Sequence, residues 1–202
     1  MYIWFIIAVL GIILSIPLYF LSVDHLKLQE KYGKQKGLKI AKIFGLISGY
    51  IFFLFWIAIW ISPQPRYTIP FIQDILILVP ILNISIPILH LIIFLPFIII
   101  GAWLGIMGAK EVSLKVAETH YTGKIITTGP YSFIRHPQYF GGLLAHIGIS
   151  FLLSAWYSFL FTPIMIGIIY LISWKEEKEL IKEFGKVYEN YRRKVPMLFP
   201  RF

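Results

Sequence analysis

Long apolar stretches alternate with short basic ones along this chain. Residues 1–23, 43–61 and 156–174 are each apolar enough and long enough to form a helix that crosses a membrane. Residues 139–153 form a shorter apolar segment of the same kind. Because only Ser154 and Ala155 separate the last two segments, we expect these two helices to form a tight antiparallel hairpin.

Basic residues are gathered in three places: residues 24–42, residues 110–135 and the tail after Trp174. Cytoplasmic loops of membrane proteins carry the excess of Lys and Arg. All three basic places can lie in the cytoplasm only if an odd number of crossings separates residue 61 from residue 110. We therefore expect five spans, with the N-terminus outside and the C-terminus in the cytoplasm.

The stretch 71–108 must then supply a single crossing, although it is too long for one straight helix. Three prolines interrupt it, and proline kinks or ends a helix. We predict the crossing at residues 87–108 and a re-entrant or interfacial segment on the outer side at residues 71–85.

Composition agrees with an all-α integral membrane protein. Hydrophobic residues make up 58% of the chain and charged residues 14%, against roughly 45–50% and about 25% in soluble domains. The chain has no cysteine, which excludes disulfides, thiolate zinc sites and a cysteine nucleophile. The apolar N-terminus lacks a basic leader and a cleavage site, so we expect a retained span. The net charge is +9, and the basic residues that produce it flank apolar spans. Anionic lipid headgroups are therefore favoured over nucleic acid as their partner.

Polar groups with chemical capability cluster before the fourth span. Gly129-Pro130 predicts a turn, and Pro137 suits the first position of a helix with His136 as its cap. A helix start of this kind can bind an anion, and Arg135 and His136 would add donors beside it. The alternative is structural: an Arg-His pair that anchors lipid headgroups, followed by Tyr139 as an ordinary interface tyrosine.

The fourth span carries small residues at helical spacing, namely Gly141, Gly142, Ala145 and Gly148. Small residues let helices approach closely, and we expect them to pack within the hairpin. The alternative is a groove for a cofactor. His146 is interpreted as a core histidine with satisfied hydrogen bonds rather than as a ligand. The histidines at 25, 90 and 120 are isolated in the sequence.

The tail at residues 175–193 predicts an amphipathic cytoplasmic helix that begins with Glu176 and Glu177. Acidic residues in a first turn are favourable in any helix, so the pair has a structural explanation as well as a functional one. The hairpin would nevertheless bring both carboxylates to the membrane face where Arg135 and His136 lie. We therefore predict one pocket formed by these two parts of the chain.

The two blocks resemble a known family. The run Gly129-Pro130-Tyr131, Arg135-His136-Pro137-Gln138-Tyr139 and Gly142 is similar to the Arg-His-Pro-x-Tyr signature of isoprenylcysteine carboxyl methyltransferases and membrane phospholipid methyltransferases. The tail resembles the C-terminus of the same family through Glu176-Glu177, Phe184-Gly185, Tyr188, Tyr191, Arg192, Val195-Pro196 and Pro200. The resemblance covers roughly the last eighty residues and divides the chain into N-terminal spans, 1–110, and a methyltransferase core, 111–202.

The resemblance implies a membrane methyltransferase that uses S-adenosylmethionine and needs no metal. Matching positions imply a cofactor site lined by Gly123, Lys124, Ile125, Ile126, Tyr131, His136, Pro137, Gln138, Tyr139 and Glu176. Helical spacing alone would select Glu177, which shares a helix face with Tyr188. Glu177 and Tyr188 are therefore added to the candidate cofactor-binding residues. Arg135, His136 and Tyr139 are the catalytic candidates, with Arg135 orienting a carboxylate acceptor and His136 holding the cofactor's carboxylate.

A lipid-like or prenylated acceptor would enter from the bilayer, with carboxyl O-methylation favoured and the cofactor site in the cytoplasm. Eukaryotic family members carry an Arg near the end of the last span, whereas Leu171-Ile172-Ser173-Trp174 has no basic residue, so the acceptor stays open. Two other functions stay open as well. One is an NADPH-dependent membrane reductase of a lipidic substrate, and the other is a non-enzymatic membrane scaffold.

Overall fold

A computed structural model describes residues 2–69, 75–79, 84–112 and 124–200. The described elements, in chain order, are the helices α1 (Ile3–Val23), α2 (His25–Tyr32) and α3 (Lys34–Ile61), the strands β1 (Leu76–Val79) and β2 (Ile84–Pro87), helix α4 (Ile88–Glu111), a 3-10 turn (Gly129–Ser132), and the helices α5 (Pro137–Leu152), α6 (Trp156–Leu160), α7 (Thr162–Phe184) and α8 (Lys186–Lys194). Among the described helices, α1, α3 and α4 are long and apolar enough to cross a membrane.

Helices α1 and α3 pack closely because Gly11 leaves room for an aromatic ring. A Cβ at Gly11 would lie 2.2 Å from Cδ2 of Phe55. Helix α2 folds back on α3 through a turn at Gly33, where φ is +80°. Residues 24–42, which sequence reasoning treated as a loop, are therefore helix α2 and the first turns of α3. The loop interpretation was wrong because a glycine turn lets both sides of it continue as helix.

Helices α4 and α5 run antiparallel with their backbones in direct contact. A Cβ at Gly101 would lie 2.7 Å from the carbonyl oxygen of Gly141, and one at Gly108 would lie 2.9 Å from Cγ of Gln138. The small residues of α5 were expected to pack within the hairpin, that is against α7, and this expectation was wrong. Gly141 and Gly148 pack against α4, where Gly101 lies opposite Gly141, while Gly142 faces Trp56 of α3.

Histidines in the apolar region form polar pairs. Trp56 Nε1–H donates to His146 Nδ1 at 3.0 Å, and His146 Nε2 lies 3.1 Å from the carbonyl oxygen of Ser158. His146 is thus the core histidine that the sequence predicted, donating from Nε2. His90 is fully buried as well and lies 2.9 Å from Oγ of Ser154.

In the described part of the chain, the strands that depart from the all-α prediction form a two-stranded antiparallel hairpin between α3 and α4. Strands β1 and β2 pair in the register Leu76–Pro87 to Val79–Ile84. β-Branched residues favour strands, and prolines at 80 and 87 are unsuited to a continuous helix. The segment 71–85, predicted as re-entrant or interfacial, therefore contains β-structure. Residues 70–74 and 80–83 lie outside the described part.

Helix α7 continues through the point where the last span was predicted to end. No glycine or proline lies between Trp174 and Gly185, so nothing interrupts the helix before Phe184. The predicted boundary at residue 175 was therefore wrong. Gly185, at φ +53°, makes the turn into the short helix α8.

The apolar core lies between α1, α3, α5 and α7. Its buried residues are Ala8, Ile12, Ile59, Leu143, Phe161, Met165, Ile168, Ile169, Ile172 and Leu198. Helix α1 runs alongside α7 in the same direction, since Phe5 meets Phe161 near one end and Asp24 pairs with Lys175 near the other. This core holds the beginning of α5 and the charged half of α7 side by side.

Candidate cofactor and acceptor site

A cavity of about 340 Å³ opens where the start of α5 meets the charged half of α7. This volume is at the lower end of the range of small-molecule sites. Six helices (α1, α2, α3, α5, α7 and α8), the 3-10 turn and the segment before it contribute to its walls. The lining residues are Tyr19, Val23, His25, Gly45, Gly49, Phe53, Val112, Lys124, Ile125, Ile126, Tyr131, Arg135, His136, Gln138, Tyr139, Glu176, Glu179, Leu180, Tyr188 and Tyr191.

Glu176 is the polar centre of this cavity. The hydroxyls of Tyr19 and Tyr139 both donate to its Oε1, and the two phenol oxygens lie 2.6 Å apart. Its Oε2 lies 3.4 Å from Nδ1 of His136. The carboxylate is thus held by groups from α1, α5 and the residue that precedes α5.

His136 lies between two carboxylates. Its Nε2 is 3.3 Å from Oε1 of Glu177, while Nδ1 faces Glu176. Burial lowers the pKa of the imidazole, but hydrogen bonds and charges from Glu176 and Glu177 outweigh it, and the pKa lies above its ordinary value. His136 therefore holds its second proton more readily than a free imidazole does, and its ring stacks on Tyr139 at 5.5 Å between centroids.

Arg135 holds the C-terminal tail against the start of α5. Its Nη1 donates to the carbonyl oxygens of Arg192 and Val195, both at 2.7 Å, and its Nε and Nη2 donate to Glu177. The backbone N–H groups of Arg135 and His136 donate to the carbonyls of Pro196 and Met197. These contacts fix the tail as one wall of the cavity.

Local sequence explains why α5 begins where it does. Gly129 adopts φ +58°, a left-handed conformation that favours glycine, and starts the 3-10 turn. Pro137 then occupies the first position of α5 and His136 its cap position, as the sequence predicted. The His136 side chain makes no cap hydrogen bond, because it faces the two glutamates instead.

Three further tyrosines, Tyr131, Tyr188 and Tyr191, line the cavity. Burial, followed by the charge of Glu176, raises the pKa of Tyr131, and burial followed by Glu177 raises that of Tyr188. Both phenols therefore remain neutral near pH 7 and keep their protons for donation. Tyr191 donates to the carbonyl oxygen of Tyr131 at 2.6 Å, which ties α8 to the 3-10 turn.

The structure brings most of the predicted site residues to one cavity. Those that line it are Lys124, Ile125, Ile126, Tyr131, Arg135, His136, Gln138, Tyr139, Glu176 and Tyr188. Pro137 and Glu177 do not line it. Glu177 is 3% exposed and serves as the partner of Arg135 and His136, whereas Glu176 faces the cavity. Gly123 lies outside the described residues.

The N-terminal helices supply lining residues that sequence reasoning did not select: Tyr19, Val23, His25, Gly45, Gly49, Phe53 and others. His25, which looked isolated, is 1% exposed and lies 3.8 Å from Glu183 across the α2–α7 contact. The sequence carries only a weak signal that these N-terminal residues belong to the site. A tyrosine near the end of a span is common at membrane interfaces, and two glycines four apart usually indicate packing.

Comparison with known proteins supports the family suggested by the motifs. A family model described as phospholipid methyltransferase matches residues 89–187. The chain is 36% identical over 107 residues to methanethiol S-methyltransferase of Crocosphaera subtropica, a match that covers 47% of this chain and 37% of the relative. It is 33% identical over 97 residues to methanethiol S-methyltransferase 2 of Bradyrhizobium diazoefficiens, with 48% of this chain and 37% of the relative covered.

A eukaryotic enzyme is similar over part of the chain as well. Protein-S-isoprenylcysteine O-methyltransferase of Schizosaccharomyces pombe is 34% identical over 84 residues, which is 38% of this chain and 33% of the relative. The chain therefore spans about a third of the length of these relatives. The predicted family resemblance is confirmed, because residues 89–187 match the phospholipid methyltransferase family model and the relatives named here are methyltransferases.

Proposed function

We propose that this protein transfers a methyl group from S-adenosylmethionine to a hydrophobic acceptor at the membrane. The observation that carries the proposal is that Glu176, His136 and Tyr139, which all belong to the stretch matched by the family model, converge on one cavity. A carboxylate and aromatic faces suit a ligand that carries a sulfonium and an ammonium group. The residues present therefore fit the cofactor.

The donor supplies an activated methyl group, and the chain's residues position the two reactants. Methyl transfer is an in-line displacement in which the acceptor's lone pair forms the new bond while the methyl–sulfur bond breaks, so orientation matters more than acid–base catalysis. Glu176 is placed to accept hydrogen bonds from the donor's polar groups. Tyr131, Tyr139 and Tyr188 line the cavity, and a tyrosine ring face beside the donor's positive charge contributes on the order of 1 kcal/mol.

His136 keeps the role expected from the sequence, which is to hold the carboxylate of S-adenosylmethionine. The role proposed for Arg135 is narrower, because its guanidinium already binds Glu177 and two tail carbonyls. We propose that Arg135 positions the tail wall and Glu177 rather than touching the acceptor. Glu177 acts in the same way, through His136 and Arg135.

The acceptor is proposed to be a lipid-like molecule that reaches the cavity from the bilayer. An isoprenylcysteine carboxylate is the first candidate, because a carboxylate is already a nucleophile and one relative is named for that substrate. A small thiol is the second, because two relatives are named methanethiol S-methyltransferases. The α3 wall, with Gly45, Gly49 and Phe53, faces the polar wall and is the apolar side for an acceptor.

The proposed topology has five spans, formed by α1, α3, α4, α5 and the apolar half of α7. Helix α5 has 16 residues and rises about 24 Å, so it needs the short helix α6 to reach the far interface. The lysines of α2 and the charged half of α7 then lie on the cytoplasmic side. This places the polar wall of the cavity at the cytoplasmic face, where the donor is available.

The test is binding and turnover with purified protein in lipid nanodiscs. We expect calorimetry to detect S-adenosylmethionine binding, and labelled methyl transfer to one of the two acceptor classes. His136→Ala and Tyr139→Phe should each weaken donor binding. Tyr170→Phe is the matched control, because Tyr170 is 55% exposed on the same helix as Glu176 and does not line the cavity. Absence of donor binding by the intact chain would contradict the proposal.

A further inference from the structure

The polar centre of the cavity includes a residue from outside the family domain. Tyr19 belongs to α1, whereas the family match covers residues 89–187. Its hydroxyl donates to Oε1 of Glu176 and lies 2.6 Å from the hydroxyl of Tyr139. Each phenol has one proton, so two protons are shared among three oxygens at this point.

The position of Tyr19 does not depend on its own hydroxyl. Near one end of α1, the ring of Phe5 meets that of Phe161 edge to face at 6.3 Å. At the other end, Nζ of Lys175 lies 2.5 Å from Oδ1 of Asp24. These two contacts fix α1 against α7 on both sides of Tyr19. The phenol is therefore presented to Glu176 by a helix that other residues hold in place.

We propose that Tyr19 is a positioning residue of the donor site, which fixes the Glu176 carboxylate in the orientation that binds S-adenosylmethionine. The proposal rests on the proposed function, because it assigns Glu176 to the donor. It extends the site beyond the family domain and gives the first helix a role in binding in addition to its role as a span.

The geometry explains why the second phenol is needed. A carboxylate has about four lone-pair positions, and the protein directs different groups to its two oxygens. Tyr139 and Tyr19 bind Oε1, while His136 approaches Oε2. Donors on both oxygens restrict rotation of the carboxylate, and hydrogen bonds to an ionised acceptor are roughly twice as strong as neutral ones. Tyr19→Phe removes one of the two phenol donors described at Oε1 and leaves the hydrogen bond from Tyr139 in place.

A double-mutant cycle tests this coupling. Calorimetric binding of S-adenosylmethionine is measured for the intact chain, for Tyr19→Phe, for Glu176→Gln and for the double variant, all in the same nanodiscs. We expect Tyr19→Phe to weaken binding about tenfold in the natural background, which corresponds to one strong hydrogen bond. In the Glu176→Gln background the same change should alter the dissociation constant less than about twofold, because the charged acceptor is gone.

Two further measurements separate positioning from a general effect on folding. Thermal unfolding should show Tyr19→Phe within a few degrees of the intact protein, because the ring and both flanking α1–α7 contacts remain. Tyr170→Phe should leave the dissociation constant unchanged.

Each remaining outcome decides against the proposal. An unchanged dissociation constant for Tyr19→Phe overturns it, and so does an equal loss in both backgrounds, since Tyr19 would then act independently of Glu176. If the intact chain binds no S-adenosylmethionine, the proposed function fails and this proposal fails with it. If the intact chain binds and the cycle shows no coupling, only the role of Tyr19 is overturned.

Discussion

Arg135 and Glu177 form a two-point ion pair at the back of the cavity. Nε donates to Oε1 at 2.7 Å and Nη2 donates to Oε2 at 3.1 Å, and the two side chains are 7% and 4% exposed. The guanidinium also binds two carbonyl oxygens of the tail. A single buried side chain therefore connects the start of α5, the charged half of α7 and the segment after α8.

Arg135→Lys should destabilise the protein, because an ammonium cannot reproduce the fork that reaches Glu177 and both tail carbonyls. The ammonium keeps a positive charge opposite Glu177 but cannot make all four of these hydrogen bonds, and a hydrogen bond to a charged group contributes roughly 1.5–3 kcal/mol. We expect a clear loss of thermal stability and faster proteolysis after residue 190. Arg66→Lys is the control, because Arg66 is exposed and should tolerate the change. Equal melting temperatures for Arg135→Lys and the intact protein would contradict this account of the pair.

His136 should make stability depend on pH. Its folded-state pKa lies above the ordinary value, since the two glutamates outweigh the effect of burial. A group whose pKa is raised in the folded state stabilises the fold fully at pH values below its pKa in the unfolded chain, about 6.5. This stabilisation is lost as the pH rises through the pKa of the folded state. We expect melting temperatures of the ligand-free protein to fall over this interval, and His136→Gln to flatten the decline. A decline of the same slope in His136→Gln would assign the effect to other groups.

The polar half of the site could be predicted from sequence because its signals are local. A Gly-Pro turn, a helix start at Pro137 and a pair of glutamates after an apolar span each follow from short-range rules. The antiparallel arrangement of two neighbouring apolar segments then brings them together. The contact between Tyr139 and Glu176 was within reach of that reasoning.

The apolar half was not predictable for a physical reason. In α1, α4 and the part of α3 that follows Lys42 nearly every position is apolar, so the sequence does not distinguish a face that contacts protein from one that contacts lipid. The role of Tyr19 and the pairing of α4 with α5 depend on which faces meet. The strands β1 and β2 were not predicted for a related reason, because a short apolar run fits a strand or a helix equally well.

The contact between α4 and α5 should not tolerate an alanine at Gly101, but it should tolerate one at Gly105 of the same helix. A Cβ at Gly101 would lie 2.7 Å from a backbone oxygen of α5, whereas a Cβ at Gly105 would have no neighbour within 4 Å. Gly101→Ala must separate the helices, with a loss of about 1–3 kcal/mol. Gly105→Ala should be neutral or slightly stabilising. Thermal unfolding of the two variants side by side measures the difference, and similar losses in both would show that α4 and α5 pack more loosely than these distances indicate.

Gly49 offers a way to change acceptor choice without touching the polar wall. It lines the cavity from α3, and a Cβ there would meet no atom within 4 Å, so a larger side chain can enter the cavity without displacing a helix. Gly49→Leu should therefore raise the KM for an isoprenylated cysteine at least tenfold, with the KM for a short alkyl thiol and the donor's Kd changed less than about threefold. Gly49→Ala fills much less of the cavity, so its KM for the isoprenylated cysteine should lie between those of the intact protein and Gly49→Leu. Such size discrimination is worth on the order of 1–3 kcal/mol per group excluded from an apolar pocket. An equal rise for long and short acceptors, or a parallel loss of donor binding, would show that the α3 wall is not the acceptor side.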